Sequence, residues 1–252
     1  MLRFVHLNIE GSKHLERVYT FLKAQNPDVV CMQELPEVEV SGIESFLGMK
    51  SLFVSMAQTN DELQGIGIFS RHPIIQRIEK WYGGSKESLP TYDETDYESR
   101  YSTSRFILAV CGIETEGEVF RIGTTHFPVT EKGSVTEYQH TSVKRLLALL
   151  EKQGELVFSG DFNAPRGGEI FSMIAEKYKD NVPLHYIKSL DYSLHRAGKN
   201  LEADATSIGL TGHMVDGLFS TSGYEVSDVE MVCGVSDHCA LVANISKKEE
   251  VI

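Results

Sequence analysis

The sequence has few cysteines and no long apolar run, and these absences exclude several kinds of protein. The four cysteines, Cys31, Cys111, Cys233 and Cys239, form neither a CxxC pair nor the dense set of a disulfide-rich scaffold. The N-terminal residues contain no apolar stretch of the length that a signal peptide needs. We therefore expect a cytoplasmic location and no membrane span.

Several nucleotide-binding and catalytic motifs are also absent. The sequence contains no GxxxxGKS or GxxxxGKT loop, no GxGxxG after a predicted strand, no HExxH and no GxSxG. These absences argue against a P-loop nucleotide hydrolase, a dinucleotide-binding enzyme, a zincin protease and a hydrolase with a nucleophilic serine elbow.

Basic residues are scarce relative to acidic ones. The 24 Lys and Arg residues face 36 Asp and Glu residues, and the formal net charge is -12. This balance argues against a protein that coats nucleic acid through a broad basic face. It also fits a site that holds divalent cations, because such a site is itself rich in carboxylates.

Length and composition are those of a globular protein. The 252 residues are 41% hydrophobic and 24% charged, and they can form one large α/β domain or two small ones. No internal repeat, linker or low-complexity tract divides the chain. We therefore predict a single domain over residues 1–252.

The hydrophobic periodicity predicts many strands and few helices. The chain opens with a strand at "RFVHLNI", a helix at "SKHLERVYTFLKAQ" that ends before Pro27, and an apolar strand at "DVVCMQEL". Two further helices are predicted at "TEYQHTSVKRLLALLEKQG" and "GGEIFSMIAEKY". The remaining predicted strands are Gly65–Ser70, Ile74–Glu79, Phe106–Glu114, Val119–Thr125, "MVDGLFS", "YEVSDVEMV" and "CALVANIS". Mixed strands with few helices favour an α/β layered sandwich.

One long polar segment, Tyr82 to Arg105, has no clear period and includes Tyr92, Tyr97 and Tyr101. Structureless loops of this length are uncommon inside compact domains and are often functional. A variable, solvated surface loop explains the segment equally well.

Polar residues with metal or acid–base chemistry recur where predicted strands end. Each has an ordinary structural explanation when taken singly; Asp161 and Asn163 in "LVFSGDFNAP", for example, could form a turn ahead of Pro165. The set comprises Asn8, Gln33, Glu34, His126, Asp161, Asn163, Asp216, Asp237 and His238.

Taken together, these residues resemble the motifs of the endonuclease/exonuclease/phosphatase (deoxyribonuclease I-like) superfamily. The resemblance rests on Asn8, "QE" at residues 33 and 34, "TH" at 125 and 126, "GDFN" at 160 to 163, Asp216, and "SDH" at 236 to 238. It implies a four-layer α/β/β/α sandwich, in which two mixed β-sheets pack face to face with helices outside. It also implies hydrolysis of phosphate esters with Mg²⁺ or Mn²⁺.

The resemblance and the ligand chemistry of Mg²⁺ together suggest three metal-binding residues. Mg²⁺ prefers hard oxygen ligands and keeps several waters, so one or two side chains are enough to hold it. Glu34 is the expected first ligand and Asp237 a further one. Asn8 would contribute an amide oxygen or orient the phosphate.

The resemblance also implies the catalytic roles. His238 is the expected general base, since an imidazole can take a proton from water near neutral pH, and Asp216 would orient its ring. Asp161 and Asn163 would position the attacking water and the phosphate oxygens, while Asp161 also stays open as the base. His126 would donate a hydrogen bond to a phosphate oxygen in the transition state.

The substrate is less well specified by the sequence. Arg105 is a candidate phosphate clamp or an ordinary surface arginine, and Tyr101 is a candidate stacking residue in the long polar segment. "HMVDGLF" around Asp216 departs from the inositol 5-phosphatase and abasic-site branches of the superfamily. A nuclease or other phosphodiesterase is therefore expected. A phosphomonoesterase acting on a small or lipid-linked phosphate and a non-catalytic phosphate-binding protein are the alternatives.

Overall fold

The fold is that of a computed structural model, which describes residues 1–59, 62–84, 105–131, 134–207, 209 and 212–248. Tyr101 and most of the predicted loop from Tyr82 to Arg105 lie outside the described residues. Within these ranges, no helix combines the length and the apolar character needed to cross a bilayer.

The described residues form twelve strands in two six-stranded sheets. The strands are β1 Leu2–Asn8, β2 Val29–Pro36, β3 Lys50–Thr59, β4 Glu62–Ser70, β5 Ile74–Gly83, β6 Phe106–Thr115, β7 Glu118–His126, β8 Val157–Asp161, β9 Lys179–Asp180, β10 Asp216–Ser220, β11 Tyr224–Val232 and β12 Ala240–Lys247. The first sheet has the order β11-β12-β1-β2-β4-β3, and the second has the order β5-β6-β7-β8-β10-β9. Both sheets are mixed, because β1 pairs in parallel with β2 and β7 with β8, whereas their other pairings are antiparallel.

The α-helices lie outside the sheets. They are α1 Leu15–Gln25, α2 Glu37–Leu47, α3 Glu137–Glu151, α4 Glu169–Ala175 and α5 Leu201–Ser207. Buried residues of α1 and α2 pack on the outer face of the first sheet, and those of α3 and α4 join the core of the second. The result is the four-layer α/β/β/α sandwich that the sequence predicts.

Strand β1 illustrates how alternation divides the two hydrophobic cores. Leu2 and Phe4 join the large core that both sheets share, whereas Val5 and Leu7 face the helices on the outside of the first sheet. Because side chains alternate along a strand, His6 must point to the inter-sheet side with Leu2 and Phe4.

Most predicted elements are confirmed, with boundary shifts of a few residues. The sequence analysis did not predict α2, β3, β9 or α5. Helix α2 has the sequence "EVEVSGIESFL", whose valine alternation and internal Gly42 are atypical of a helix. Tyr82 was predicted to begin a loop, but it lies in β5, is 3% exposed, and places its hydroxyl 2.7 Å from Thr125 Oγ1. That residues 1–252 form one domain stays a prediction.

We predict that Gly160→Ala destabilises the protein. Gly160 lies in β8, and a Cβ built on it would be 2.7 Å from the backbone oxygen of Thr125 in the neighbouring strand. Relief of that contact must shift one strand against the other, and overpacking of this kind costs about 1–3 kcal/mol. Chemical denaturation followed by circular dichroism measures the change in the free energy of unfolding.

The matched control is Gly42→Ala in α2, where the nearest atom is the Tyr19 hydroxyl at 3.3 Å. Alanine is favoured over glycine inside a helix by about 0.5–1 kcal/mol, so this variant should be at least as stable as the wild type. Equal destabilisation of the two variants would contradict the close approach of β7 and β8.

Candidate active site

The second sheet brings three of the predicted site residues into one row. His126 ends β7 and pairs in register with Asp161, which ends β8, and Asp161 pairs in turn with Asp216 at the start of β10. Neighbouring strands are about 5 Å apart, so these three side chains share one edge of the sheet although they are distant in sequence.

The first sheet contributes the other predicted residues at the same edge. Asn8 ends β1, and Glu34 lies near the end of β2, its parallel neighbour. Asp237 and His238 come directly before β12, which runs antiparallel to β1 and so begins where β1 ends.

Asp161 Oδ2 lies at the centre of the cluster. It accepts a hydrogen bond of 3.0 Å from Asn8 Nδ2, and it is 3.5 Å from His126 Nε2 and 3.7 Å from His238 Nε2. Asn8 Nδ2 also donates to Glu34 Oε1 at 3.2 Å. One carboxylate oxygen is therefore in reach of residues from both sheets.

The amide of Asn8 has a defined orientation. Its Oδ1 accepts a hydrogen bond from the backbone N–H of Glu10 at 3.1 Å, so the oxygen points to the backbone and the NH₂ group to the carboxylates. In this orientation Asn8 holds the two carboxylates, which the sequence did not predict, while its two expected roles, as a metal ligand or in orienting the phosphate, stay predictions.

The segment "GDFN" forms a turn and also lies in the cluster. The backbone N–H of Asn163 donates to Asp161 Oδ1 at 2.9 Å, which is the local turn bond that the sequence allows, while Oδ2 of the same carboxylate faces the site. Phe162 is fully buried between the rings of Phe171 and Phe219. The segment therefore forms the turn that the sequence allows and also brings Asp161 beside Asn8, while the catalytic roles of Asp161 and Asn163 stay predictions.

Asn163 uses its side-chain amide to hold neighbouring groups. Its Nδ2 lies 3.0 Å from His126 Nε2 and 3.0 Å from the backbone oxygen of Phe127. The amide can only donate from this atom, so His126 Nε2 is the acceptor and its ring carries the proton on Nδ1. In this arrangement Asn163 orients His126.

His238 and Asp216 form a buried pair. His238 Nδ1 is 2.7 Å from Asp216 Oδ2, and both residues are at least 94% buried. Since an ionised carboxylate can only accept, His238 donates to it through Nδ1, and its Nε2 faces Asp161. With Nε2 unprotonated, this orientation is the one that a general base requires.

The environment moves the pKa values of this pair in opposite directions. Burial alone would raise the pKa of Asp216, but the neighbouring His238 and His6 hold it well below its usual range. Burial alone would lower the pKa of His238, but the carboxylates of Asp216, Asp161 and Asp237 raise it well above its ordinary value. The pair therefore favours an ionised carboxylate beside an imidazole of increased basicity.

The loop that carries Asp237 and His238 is held at both ends. Cys233 and Cys239 form a disulfide across it, and the backbone N–H of Asp191 donates to Asp237 O at 2.7 Å. This disulfide is not predicted from the sequence, and Cys31 and Cys111 are buried free thiols. Disulfides are rare in a reducing cytoplasm, so the cytoplasmic location stays a prediction.

Asp237 is close enough to His238 and Glu34 for their charges to interact, and it is poorly solvated. It is 6% exposed, and its Oδ1 accepts a hydrogen bond of 3.2 Å from the hydroxyl of Ser236. Burial raises its pKa to about 6; His238 opposes the rise, and the negative charges of Glu34 and Glu10 add to it. Burial and the neighbouring negative charges destabilise the ionised form of Asp237, and a bound cation would stabilise that form.

The donor set fits a hard divalent cation. One potential ligand atom from each of Glu34, His126 and Asp161 lies within 4.8 Å of the others, and carboxylate oxygens are the donors that Mg²⁺ and Mn²⁺ prefer.

Two residues of the site have left-handed backbone angles: Glu34 has a φ of 50° and Asn163 a φ of 47°. Glu10, Asn26, Glu116 and Asp228 share this left-handed conformation, so it is not confined to the site.

A family model describes almost all of this chain. The model of the endonuclease/exonuclease/phosphatase family matches residues 5–238, a range that includes every residue of the cluster. The chain belongs to the endonuclease/exonuclease/phosphatase family. Members of the family hydrolyse phosphate esters with divalent metal ions and include nucleases, phosphatases and phosphodiesterases. No curated protein sequence matches the chain.

Solved structures share the family fold at low sequence identity. An endonuclease/exonuclease/phosphatase from Bacteroides vulgatus is 17% identical, with a TM-score of 0.72 over 98% of this chain and 99% of that one. The mannosyl-6-phosphatase of Bacteroides thetaiotaomicron is 12% identical, with a TM-score of 0.66 over 98% and 100% of the two chains. D. rerio TDP2, solved with a single-stranded DNA product, is 15% identical, with a TM-score of 0.67 over 98% and 99%.

Arg105 and Tyr101 were also predicted to bind the substrate. Arg105 precedes β6, is 9% exposed, and donates its backbone N–H to Met56 O at 3.0 Å. Its assignment as a phosphate clamp stays a prediction, as does the assignment of Tyr101 as a stacking residue, because Tyr101 lies outside the described residues.

Gln33 links the two sheets: its side-chain Nε2 donates a hydrogen bond of 2.8 Å to Thr124 Oγ1.

Sequence reasoning missed three residues beside the cluster. His6 contacts Asp216, the Ser189 hydroxyl accepts from the backbone N–H of Asp216 at 3.0 Å, and His195 is close enough to His238 for their charges to interact. The alternation of β1 could have found His6, because it lies two residues before Asn8 and so on the same face of the strand. No local pattern marks Ser189 or His195.

We predict that Asp237→Asn stabilises the metal-free protein at neutral pH but not in acid. The folded-state pKa of Asp237 is raised to about 6, whereas an unfolded aspartate ionises near pH 3.9. The unfolded state therefore releases this proton first, and stability falls as the pH rises from about 4 to about 6. The cost above pH 6 is on the order of 2–3 kcal/mol, and asparagine does not incur it.

Denaturant unfolding in EDTA at pH 4.5 and pH 7.5 measures this difference. Asp228→Asn, a change at an exposed aspartate of β11, is the control, and it should shift stability little at either pH. A stabilisation by Asp237→Asn that is equal at both pH values would contradict the raised pKa.

Proposed function

We propose that the protein is a divalent-metal-dependent phosphoester hydrolase, and that it acts on phosphodiesters as a nuclease or a related phosphodiesterase. One observation carries the proposal: His238 Nε2 faces Asp161 Oδ2 at 3.7 Å while its Nδ1 is bound to Asp216. An oriented imidazole beside a group of metal-binding carboxylates is the arrangement that hydrolysis of a phosphate ester needs.

We assign the role of general base to His238. Its Nε2 accepts no hydrogen bond from any of the residues that the structure describes, and so it is available to take a proton from water. Asp161 is the alternative base, but its Oδ1 already accepts from the backbone of Asn163 and its Oδ2 from Asn8. Asp216 would stabilise the imidazolium as it forms, as the carboxylate does in a hydrolase triad.

The remaining polar groups would orient the phosphate and the water. Asp161 lies between the two histidines and would hold the attacking water beside His238 Nε2. Asn163 fixes the His126 ring at 3.0 Å. To donate to a phosphate oxygen through Nε2, His126 would have to take up a proton there and lose the hydrogen bond from Asn163. Such a donor accelerates the reaction only if it strengthens as negative charge develops.

Glu34 and Asp161 would hold the cation, and Asp237 would be a further ligand. Two features support a cation at this position. The potential ligand atoms are mostly carboxylate oxygens, and those of Glu34, Asp161 and His126 lie within 4.8 Å of one another. Bound there, Mg²⁺ or Mn²⁺ supplies charge neutralisation at the non-bridging and leaving oxygens of the phosphate. Asn8 would keep the two carboxylates in place through its NH₂ group.

A phosphomonoesterase is the second candidate function. The net charge of -12 disfavours a large polyanion such as DNA more than a small phosphate ester. The structural neighbours do not separate the two functions, since the mannosyl-6-phosphatase and the TDP2 bound to a DNA product match with TM-scores of 0.66 and 0.67. Substrate preference therefore has to be measured.

We predict metal-dependent turnover that requires His238. Bis(p-nitrophenyl) phosphate, p-nitrophenyl phosphate, single-stranded oligonucleotides and a sugar phosphate are assayed with Mg²⁺, Mn²⁺ and EDTA. His238→Ala should lower turnover by at least ~10²-fold, because general-base catalysis typically contributes 10²–10⁴-fold. Preference for diesters over monoesters supports the phosphodiesterase, and the reverse preference supports the phosphomonoesterase.

The control is His72→Ala at the opposite end of the first sheet, where His72 lies 3.7 Å from Asp28. This variant should retain wild-type turnover. A wild-type protein without metal-dependent activity on any of these phosphoesters, yet able to bind inorganic phosphate, would identify a non-catalytic binding protein and refute the proposed function.

We also predict that Glu34→Gln raises the Mg²⁺ concentration required for half-maximal activity. The substitution removes a negative charge and leaves a weaker neutral ligand, so metal affinity should fall by at least ~10-fold. Magnesium titrations of the initial rate measure this change. Glu225→Gln, an exposed change on β11, is the control, and an unaltered requirement in Glu34→Gln would remove Glu34 from the ligand set.

A further inference from the structure

His6 is a second histidine on the carboxylate of Asp216, and the proposed mechanism does not use it. It lies in β1 of the first sheet, is fully buried, and reaches across the sandwich to the second sheet. Its Nε2 is 2.8 Å from Asp216 Oδ1 and its Nδ1 is 3.1 Å from the hydroxyl of Ser159 in β8.

The contacts of His6 define its tautomer. Asp216 is ionised and can only accept, so His6 must donate through Nε2. A neutral imidazole then has its lone pair on Nδ1, and the Ser159 hydroxyl can donate to it. Both ring nitrogens are satisfied inside the core, which removes the desolvation penalty that an unpaired buried nitrogen would carry.

The carboxylate of Asp216 is consequently held on both oxygens. Oδ1 accepts from His6 and Oδ2 accepts from His238 Nδ1 at 2.7 Å, while the backbone N–H of Asp216 donates to Ser189 Oγ at 3.0 Å. Asp216 is fully buried, so water does not supply substitute hydrogen bonds. The plane of the carboxylate is therefore determined by two histidines from different parts of the first sheet.

We propose that His6 is a positioning residue for the candidate active site: it holds Asp216 so that Oδ2 keeps His238 oriented with Nε2 toward the reacting water. The inference rests on the proposed function, since the orientation of His238 matters for turnover only if His238 is the base. Without the His6 donor, Asp216 Oδ1 would be a buried, unpaired carboxylate oxygen. The carboxylate would then rotate toward other donors and release His238.

Two substitutions separate positioning from packing. His6→Gln keeps an NH₂ group that can donate to Asp216, whereas His6→Leu fills the space without a donor. We expect His6→Leu to lower kcat by at least ~10-fold, the lower end of the effects seen for residues that orient a functional histidine. KM should change by less than about twofold, and His6→Gln should recover most of the loss.

The matched control is Tyr224→Phe. Tyr224 is 3% exposed and accepts a hydrogen bond of 2.8 Å from the backbone N–H of Arg121, so its loss removes another buried hydrogen bond of the same core. This variant should lose stability without a fall in kcat. A general effect of core destabilisation would instead lower kcat in both variants.

A double-mutant cycle tests whether His6 acts through Asp216. In an Asp216→Ala background, His6→Leu should lower kcat no further, because the group that it positions is gone. A full additional loss would overturn the proposal. So would wild-type kcat in a folded His6→Leu single variant.

A spectroscopic measurement covers the cases in which activity or folding fails. Long-range ¹H–¹⁵N correlation spectra of the wild-type protein should show a proton on His6 Nε2 and a proton on His238 Nδ1, the two atoms that face Asp216. In Ser159→Ala, which removes only the hydroxyl at His6 Nδ1, the His6 signals should shift. A wild-type His6 protonated on Nδ1 alone would overturn the proposal, even if no phosphoesterase activity is found.

The outcomes also separate this inference from the proposed function. An inactive wild-type protein with the expected tautomers refutes the hydrolase and leaves the contact of His6 with Asp216 in place. An active wild-type protein whose kcat does not depend on His6 refutes the positioning role alone.

Discussion

The buried carboxylate of Asp216 is the group on which the rest of the candidate site depends. A charge between two packed sheets is stable only when every part of it is paired, and Asp216 meets this condition through His6 and His238. The same two hydrogen bonds tie β1 and the loop before β12, both in the first sheet, to β10 in the second. The pairing that stabilises the buried charge therefore also links the two sheets at the site.

The other site residues share one edge because of strand direction and register. His126 and Asp161 end parallel neighbours of the second sheet, and Asn8, which ends β1, pairs in register with Gln33 of the parallel strand β2 in the first. Glu34 lies at an irregularity in the pairing of β2 with β4, and Asn163 lies in the turn after β8; both have left-handed backbone angles. A rigid framework thus holds short irregular segments that carry the chemistry, as is common in proteins whose sites lie on loops.

Much of the fold was predictable from local patterns, and the exceptions have physical reasons. Alternation and continuous apolar runs predicted the strands that carry the site, and heptad-like spacing predicted α1 and α3. Helix α2 was missed because its valines alternate as in a strand, and its helical state depends on burying Ile43 and Leu47 against the first sheet. Tyr82 was placed in a loop because its neighbours are polar, but its ring packs in the core and its hydroxyl is satisfied by Thr125.

The sequence by itself determined the family and the set of polar residues at strand ends, because strand periodicity and short motifs such as "GDFN" and "SDH" are local features. Only the tertiary structure decided which of those groups touch. It brought Asp161 within reach of Asn8 and both histidines, closed a disulfide around the loop of His238, and placed His6 on Asp216. These contacts join residues as many as 210 positions apart, and they follow from sheet register and face-to-face packing, which no local pattern encodes.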